Sequence, residues 1–139
     1  MFETTTSYQP EKNKGVKATK QITEVEFELE GLRNLIRFLK DENIRAKNRI
    51  SDILATTHPH DILEELEQFH NKFVRYDVVI SIARNDLAML ELMLSAGTLD
   101  KPQILETLRK LRSGYFEIAQ DYYSLLALFG DFIIEKIQP

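Results

Sequence analysis

The chain has 139 residues, a formal net charge of −4, and neither cysteine nor tryptophan. Its length fits one domain able to bury a core without staples, and 43 % hydrophobic with 29 % charged residues is a globular balance, neither disordered nor membrane-spanning. Lack of cysteine removes disulfide scaffolds, thiolate zinc sites and cysteine nucleophiles.

Residues 1–18 read as a flexible N-terminal tail, because Thr4-Thr5-Thr6-Ser7, Pro10 and Asn13-Lys14-Gly15 show no periodicity. The opening Met1-Phe2-Glu3-Thr4 lacks the basic and apolar regions of a secretion leader, and no apolar run is long enough to span a bilayer. The expected location is therefore cytoplasmic.

The first helix is expected over about residues 20–56, starting near Thr19 or at the capping-box pattern Thr23-x-x-Glu26. Its apolar series runs from Ile22 through Val25, Leu29, Leu32, Ile36, Leu39, Asn43, Ala46 and Ile50 to Ile53. Steps of three and four alternate without a slip, which is a heptad seam. Thr56-Thr57-His58-Pro59 should end it, with His58 as cap and Pro59 opening the next helix.

The second helix, about 60–96, carries the seam Ile62, Leu66, Phe69, Phe73, Tyr76, Ile80, Ala83, Leu87, Leu90 and Leu94, and Gly97 is its left-handed C-cap candidate. Asp100-x-x-Gln103 should box the start of the third, about 101–137, with Pro102 in its tolerant first turn. Its seam runs from Ile104 to Phe132, and Ser113-Gly114 is a point where it could kink. Connections of only a few residues between long helices force antiparallel neighbours. The expected fold is all-α, an up-down-up bundle of three long amphipathic helices. Helix number and approximate length resemble those of spectrin-type three-helix repeats; that likeness rests on the heptad alone and carries no function.

Antiparallel register places Asn43, the one polar residue of the first seam, near Phe73, Tyr76 and Tyr122. A buried amide needs partners, and a tyrosine hydroxyl is the expected one. This buried polar layer (Asn43, Tyr76, Tyr122) is either a register-setting device or, with His70 beside it, a small polar binding site.

Chemistry-bearing motifs are thin. Glu67-x-x-His70 has the spacing of a di-iron bundle ligand pair, but it occurs once and Glu67 falls on an outward position. His58-Pro59-His60 offers two imidazoles, too few for a metal site. No glycine-rich phosphate loop and no nucleophile on a strained turn is evident. The sequence thus predicts no enzyme, no metal and no cofactor. The basic stretch Arg33, Arg37, Lys40, Arg45, Lys47 and Arg49, interrupted by Asp41 and Glu42, reads as a solvated face. Its alternative is a weak contact with anionic surfaces, in which the tail lysines Lys12, Lys14, Lys17 and Lys20 would join. Net negative charge makes nucleic acid an unfavoured partner.

Surplus apolar residues are the feature above background. Phe27, Gly31, Leu35 and Phe38 form a second stripe on the first helix, and Val78, Ile82, Met89 and Met93 one on the second. Layer matching sets both at one height, with Phe116 of the third helix nearby. If exposed, they form one apolar patch, a surface for a homodimer or another helical protein; the alternatives are a wide core face and cover by the N-terminal tail.

Overall fold

A computed structural model of the chain describes the backbone of residues 10–56 and 59–137, with side chains from residue 24 onward within those limits. Three helices follow one another: α1 (Pro10–Leu54), α2 (His60–Ala96) and α3 (Lys101–Phe132), the last continued by a π-helical segment, Ile133–Ile137. No strand occurs among the described residues. The chain divides into two compact units, Met1–Gly31 and Leu32–Pro139.

In the N-terminal unit the backbone is helical from Pro10, so Thr23 and Glu26 lie inside α1 and form no cap. That start precedes the expected one. Apolar periodicity reports burial and not helicity. The expected tail over residues 1–9 lies outside the described residues.

The C-terminal unit is the three-helix bundle. Every seam position of α1 from Leu32 to Ile53 is buried: Leu32, Ile36, Leu39, Asn43, Ala46, Ile50 and Ile53. On α2 the buried set is Leu66, Phe73, Ile80, Ala83, Leu87 and Leu90. On α3 it is Leu108, Tyr115, Ala119, Tyr122, Leu125, Phe129 and Phe132. All but Ala119 are heptad seam positions. Full burial of such an aliphatic or aromatic side chain stabilises by about 1.5–3 kcal/mol, so the seam is the principal cohesive force. Towards the α1–α2 turn the α2–α3 interface is aromatic. Phe69 meets Phe129 and Phe132 at ring distances of 5.2 and 5.3 Å, and Phe73 meets Phe129 edge-on at 5.2 Å. Edge-to-face pairs add to what burial alone provides.

The helix ends follow backbone chemistry. Thr56 Oγ1 donates to the Ile53 carbonyl at 2.8 Å as α1 ends. Pro59 is extended (φ −59°, ψ 154°) and caps α2 from just outside it, so it does not hold the first helical position expected above. Thr57 and His58 lie outside the described residues. Gly97 ends α2 at φ 68°, where a side chain would be strained, and the Thr98 amide closes back on the Met93 carbonyl. Asp100 accepts from the Gln103 amide while the Gln103 side chain accepts from the Asp100 amide, both at 2.9 Å, completing the expected box. α3 runs unbroken through Ser113-Gly114.

Candidate functional site

The polar layer forms, with partners other than those expected. Asn43 is buried, and its side-chain amide donates to the Phe73 carbonyl at 2.9 Å and to Asp77 Oδ1 at 2.7 Å. Lys47 Nζ donates to the other carboxylate oxygen of Asp77 at 2.7 Å. Asn43 therefore ties α1 to α2 and makes no bond to a tyrosine hydroxyl. Two donated bonds use both N–H groups, so the amide orientation is set by the network. Its oxygen and the Tyr122 hydroxyl are buried without a hydrogen-bond partner. Tyr76 and Tyr122 do meet, ring to ring, at 5.1 Å. Burial pushes both phenols above their usual pKa; Glu42, Asp77 and Tyr76 add to the effect at Tyr122, and Asp121 at Tyr76. His70 is exposed and does not join the layer. Packed rings and a satisfied amide donor make this a register lock for α1 against α2. No group of three His, Cys, Asp or Glu side chains able to hold a metal occurs among the described residues.

Three of the six cations in the basic stretch of α1 are in ion pairs. Arg33 pairs with Glu91 and Lys47 with Asp77, both across to α2, while Arg45 pairs with Glu42 along α1 at 3.2 Å. Arg37 donates to the Asn34 side chain. Arg37, Lys40 and Arg45 are exposed.

Most residues of the apolar stripes are exposed. Phe38 is 47 % exposed, Val78 59 %, Ile82 55 % and Met89 56 %, while Leu35 and Met93 are half-buried. In the N-terminal unit Phe27 is exposed, and a methyl group added at Gly31 would meet nothing. The wide-core reading therefore fails.

Within the C-terminal unit, Leu35 and Phe38 do not lie on one side with Ile82 and Met89. Cross-links Arg33–Glu91 and Lys47–Asp77 bracket Leu35 and Phe38 on α1 and Val78, Ile82 and Met89 on α2, so the heights match as expected. The sides do not. Asp77 and Glu91 mark the edge of α2 that faces α1. Ile82 and Met89, a heptad apart, lie about 160° from it around the helix, on the flank that turns towards α3. Leu35 and Phe38 lie on the α1 edge that faces α3. Phe38 stacks obliquely on Tyr123, ring centroids 6.5 Å apart. Leu35 joins Phe116, Ala119, Gln120, Tyr123, Ser124 and Ala127 in lining an open groove of about 590 Å³ between α1 and α3. None of the α2 stripe lines it.

α3 supplies most of this groove, whereas the apolar stripes evident in the sequence lie on α1 and α2, with Phe116 alone from α3. The signal was present in the charge pattern. Between Gly114 and Ile134 the charged residues of α3 are Glu117, Asp121 and Asp131. At 100° per residue the three fall within 80° of one another, and Asp121 acts on Tyr76 of α2. None of the groove's lining residues is charged.

No helix among the described residues is long and apolar enough to cross a membrane. Comparison with known protein families, with curated proteins and with solved structures yields no match.

Proposed function

We propose that this chain is a non-enzymatic helical module acting by self-association or by binding another helical protein. One observation carries the reading: an apolar groove between α1 and α3 lined by Phe116, 58 % exposed, with Phe38, 47 % exposed, against its lining residue Tyr123, on a chain whose core is already complete without them. Aromatic side chains in a shaped, uncharged surface are what helix-in-groove recognition uses, whereas scattered single apolar residues would need no explanation.

Solution mass by size-exclusion chromatography with light scattering tests it, on wild type, Phe38→Asp and Ile82→Asp. Either substitution is at an exposed site and should leave helicity intact. A wild-type mass above 16.2 kDa that falls to the monomer value in Phe38→Asp supports self-association. A monomer in every case directs the reading to a different protein, sought by pull-down with wild type against the same variants. Equal behaviour of all three proteins in both assays refutes the reading.

A further inference from the structure

We infer that the α1–α3 groove is the seat of a second copy of this chain, related by a twofold axis through the groove. The inference rests on the self-association arm of the proposed function and narrows it to one face.

Three observations favour a second copy over a lone docked helix. The first is shape. The face holds both a depression and exposed rings: Leu35, Ala119, Tyr123 and Phe116 line the groove, Phe116 is 58 % exposed, and the 47 % exposed ring of Phe38 lies against Tyr123. An isologous interface requires this, because each protomer must offer what the other receives.

The second is charge. A second copy of a chain with net charge −4 brings like charge with it. It docks at least cost where no carboxylate must be desolvated, and none of the residues that line the groove is charged. Further along α1, Glu42 and Arg45 neutralise one another at 3.2 Å, giving the polar rim usual around an apolar interface centre.

The third is area. From Phe116 to Ile134 α3 extends about 27 Å. Two adjacent helices 8–10 Å apart present a face roughly 20 Å wide. The product is on the order of 550 Å² in projection, and side-chain relief raises it towards the ~800 Å² per partner of a standard interface. A single helix, about 10 Å across, would leave half the face in water.

The test exploits the absence of cysteine from the chain. Gln120→Cys and Ala127→Cys place single thiols in the groove, and Met89→Cys places one on the far flank of α2. Each is treated with a short bis-maleimide and resolved by denaturing electrophoresis, beside the solution mass of wild type and Phe116→Asp. The expected result is a wild-type mass twice 16.2 kDa, a twofold drop in mass for Phe116→Asp with unchanged far-ultraviolet dichroism, and covalent dimer from the groove thiols but not from Met89→Cys. A dimer that cross-links through Met89→Cys alone overturns this face while self-association stands. A strictly monomeric wild type overturns the inference, leaving the binding of another protein as the surviving arm of the proposed function.

Discussion

Removing one oxygen atom from the core should make this protein more stable. The Tyr122 hydroxyl is buried without a hydrogen-bond partner, and an unsatisfied buried hydroxyl costs about 1–3 kcal/mol. Tyr122→Phe keeps the ring, and with it the edge contacts to Phe73 at 6.1 Å and Tyr76 at 5.1 Å. The expected gain is about 1 kcal/mol or more, a rise of roughly 3–5 °C in Tm for a chain of this size. Tyr115 provides the matched contrast: its hydroxyl, equally inside the core, donates to the Ala83 carbonyl at 2.6 Å. Tyr115→Phe should therefore lose about 0.5–1.5 kcal/mol, the net worth of one such bond. The assay is urea unfolding followed by far-ultraviolet circular dichroism, with all three proteins at one concentration because assembly would shift the midpoint by mass action. Opposite signs for the two substitutions support the assignment. Loss of stability in Tyr122→Phe comparable to that in Tyr115→Phe would show that the Tyr122 hydroxyl is satisfied in solution, for instance by an internal water shared with the Asn43 oxygen, and would refute the argument.

Alkaline pH should weaken the fold through the same tyrosines. Burial, then Asp86 and Glu91, push Tyr115 up to about 12 against a partial offset from Arg84, and Tyr76 and Tyr122 are raised as well. The folded state holds these protons after the unfolded chain has released its own near pH 10, so stability is full below pH 10 and falls as pH rises from 10 towards 12; a urea midpoint flat across that window would contradict the burial. Asp100→Ala removes the acceptor of the α3 capping box and should cost about 1 kcal/mol in urea unfolding. Gly114→Ala should stabilise by up to about 1 kcal/mol, because Gly114 is helical and an added methyl meets nothing within 4 Å; a destabilised variant would show that α3 bends at that point.

Much of the bundle was legible in the order of its residues. Alternating steps of three and four place one line of side chains inward, and each member of that line from Leu32 to Ile53 is buried. Gly97 and the Asp100/Gln103 pair mark the second turn by backbone chemistry that acts within a few residues, so sequence suffices there. The start of α1 was not legible by the same means, because the helix from Pro10 advertises no buried face.

The candidate site was legible only in its ingredients. Phe38, Ile82 and Met89 were identifiable as surplus apolar residues, and they are exposed. That Phe38 joins Tyr123 over the groove of Leu35 and Phe116 while Ile82 and Met89 sit on another flank was not. Likewise Asn43 was identifiable as the polar seam residue, yet its partners are Phe73 and Asp77, because an amide takes the acceptor that helix tilt brings within 3 Å and heptad matching resolves only to about a turn. By itself the sequence determined which face of each helix turns inward and where the helices reverse, since both are local or periodic properties. Only the tertiary structure decided which neighbour each flank meets. A three-helix bundle can close with α3 on either side of the α1–α2 pair at equal periodicity, and the ion pairs Arg33–Glu91 and Lys47–Asp77 mark the side on which this one closed.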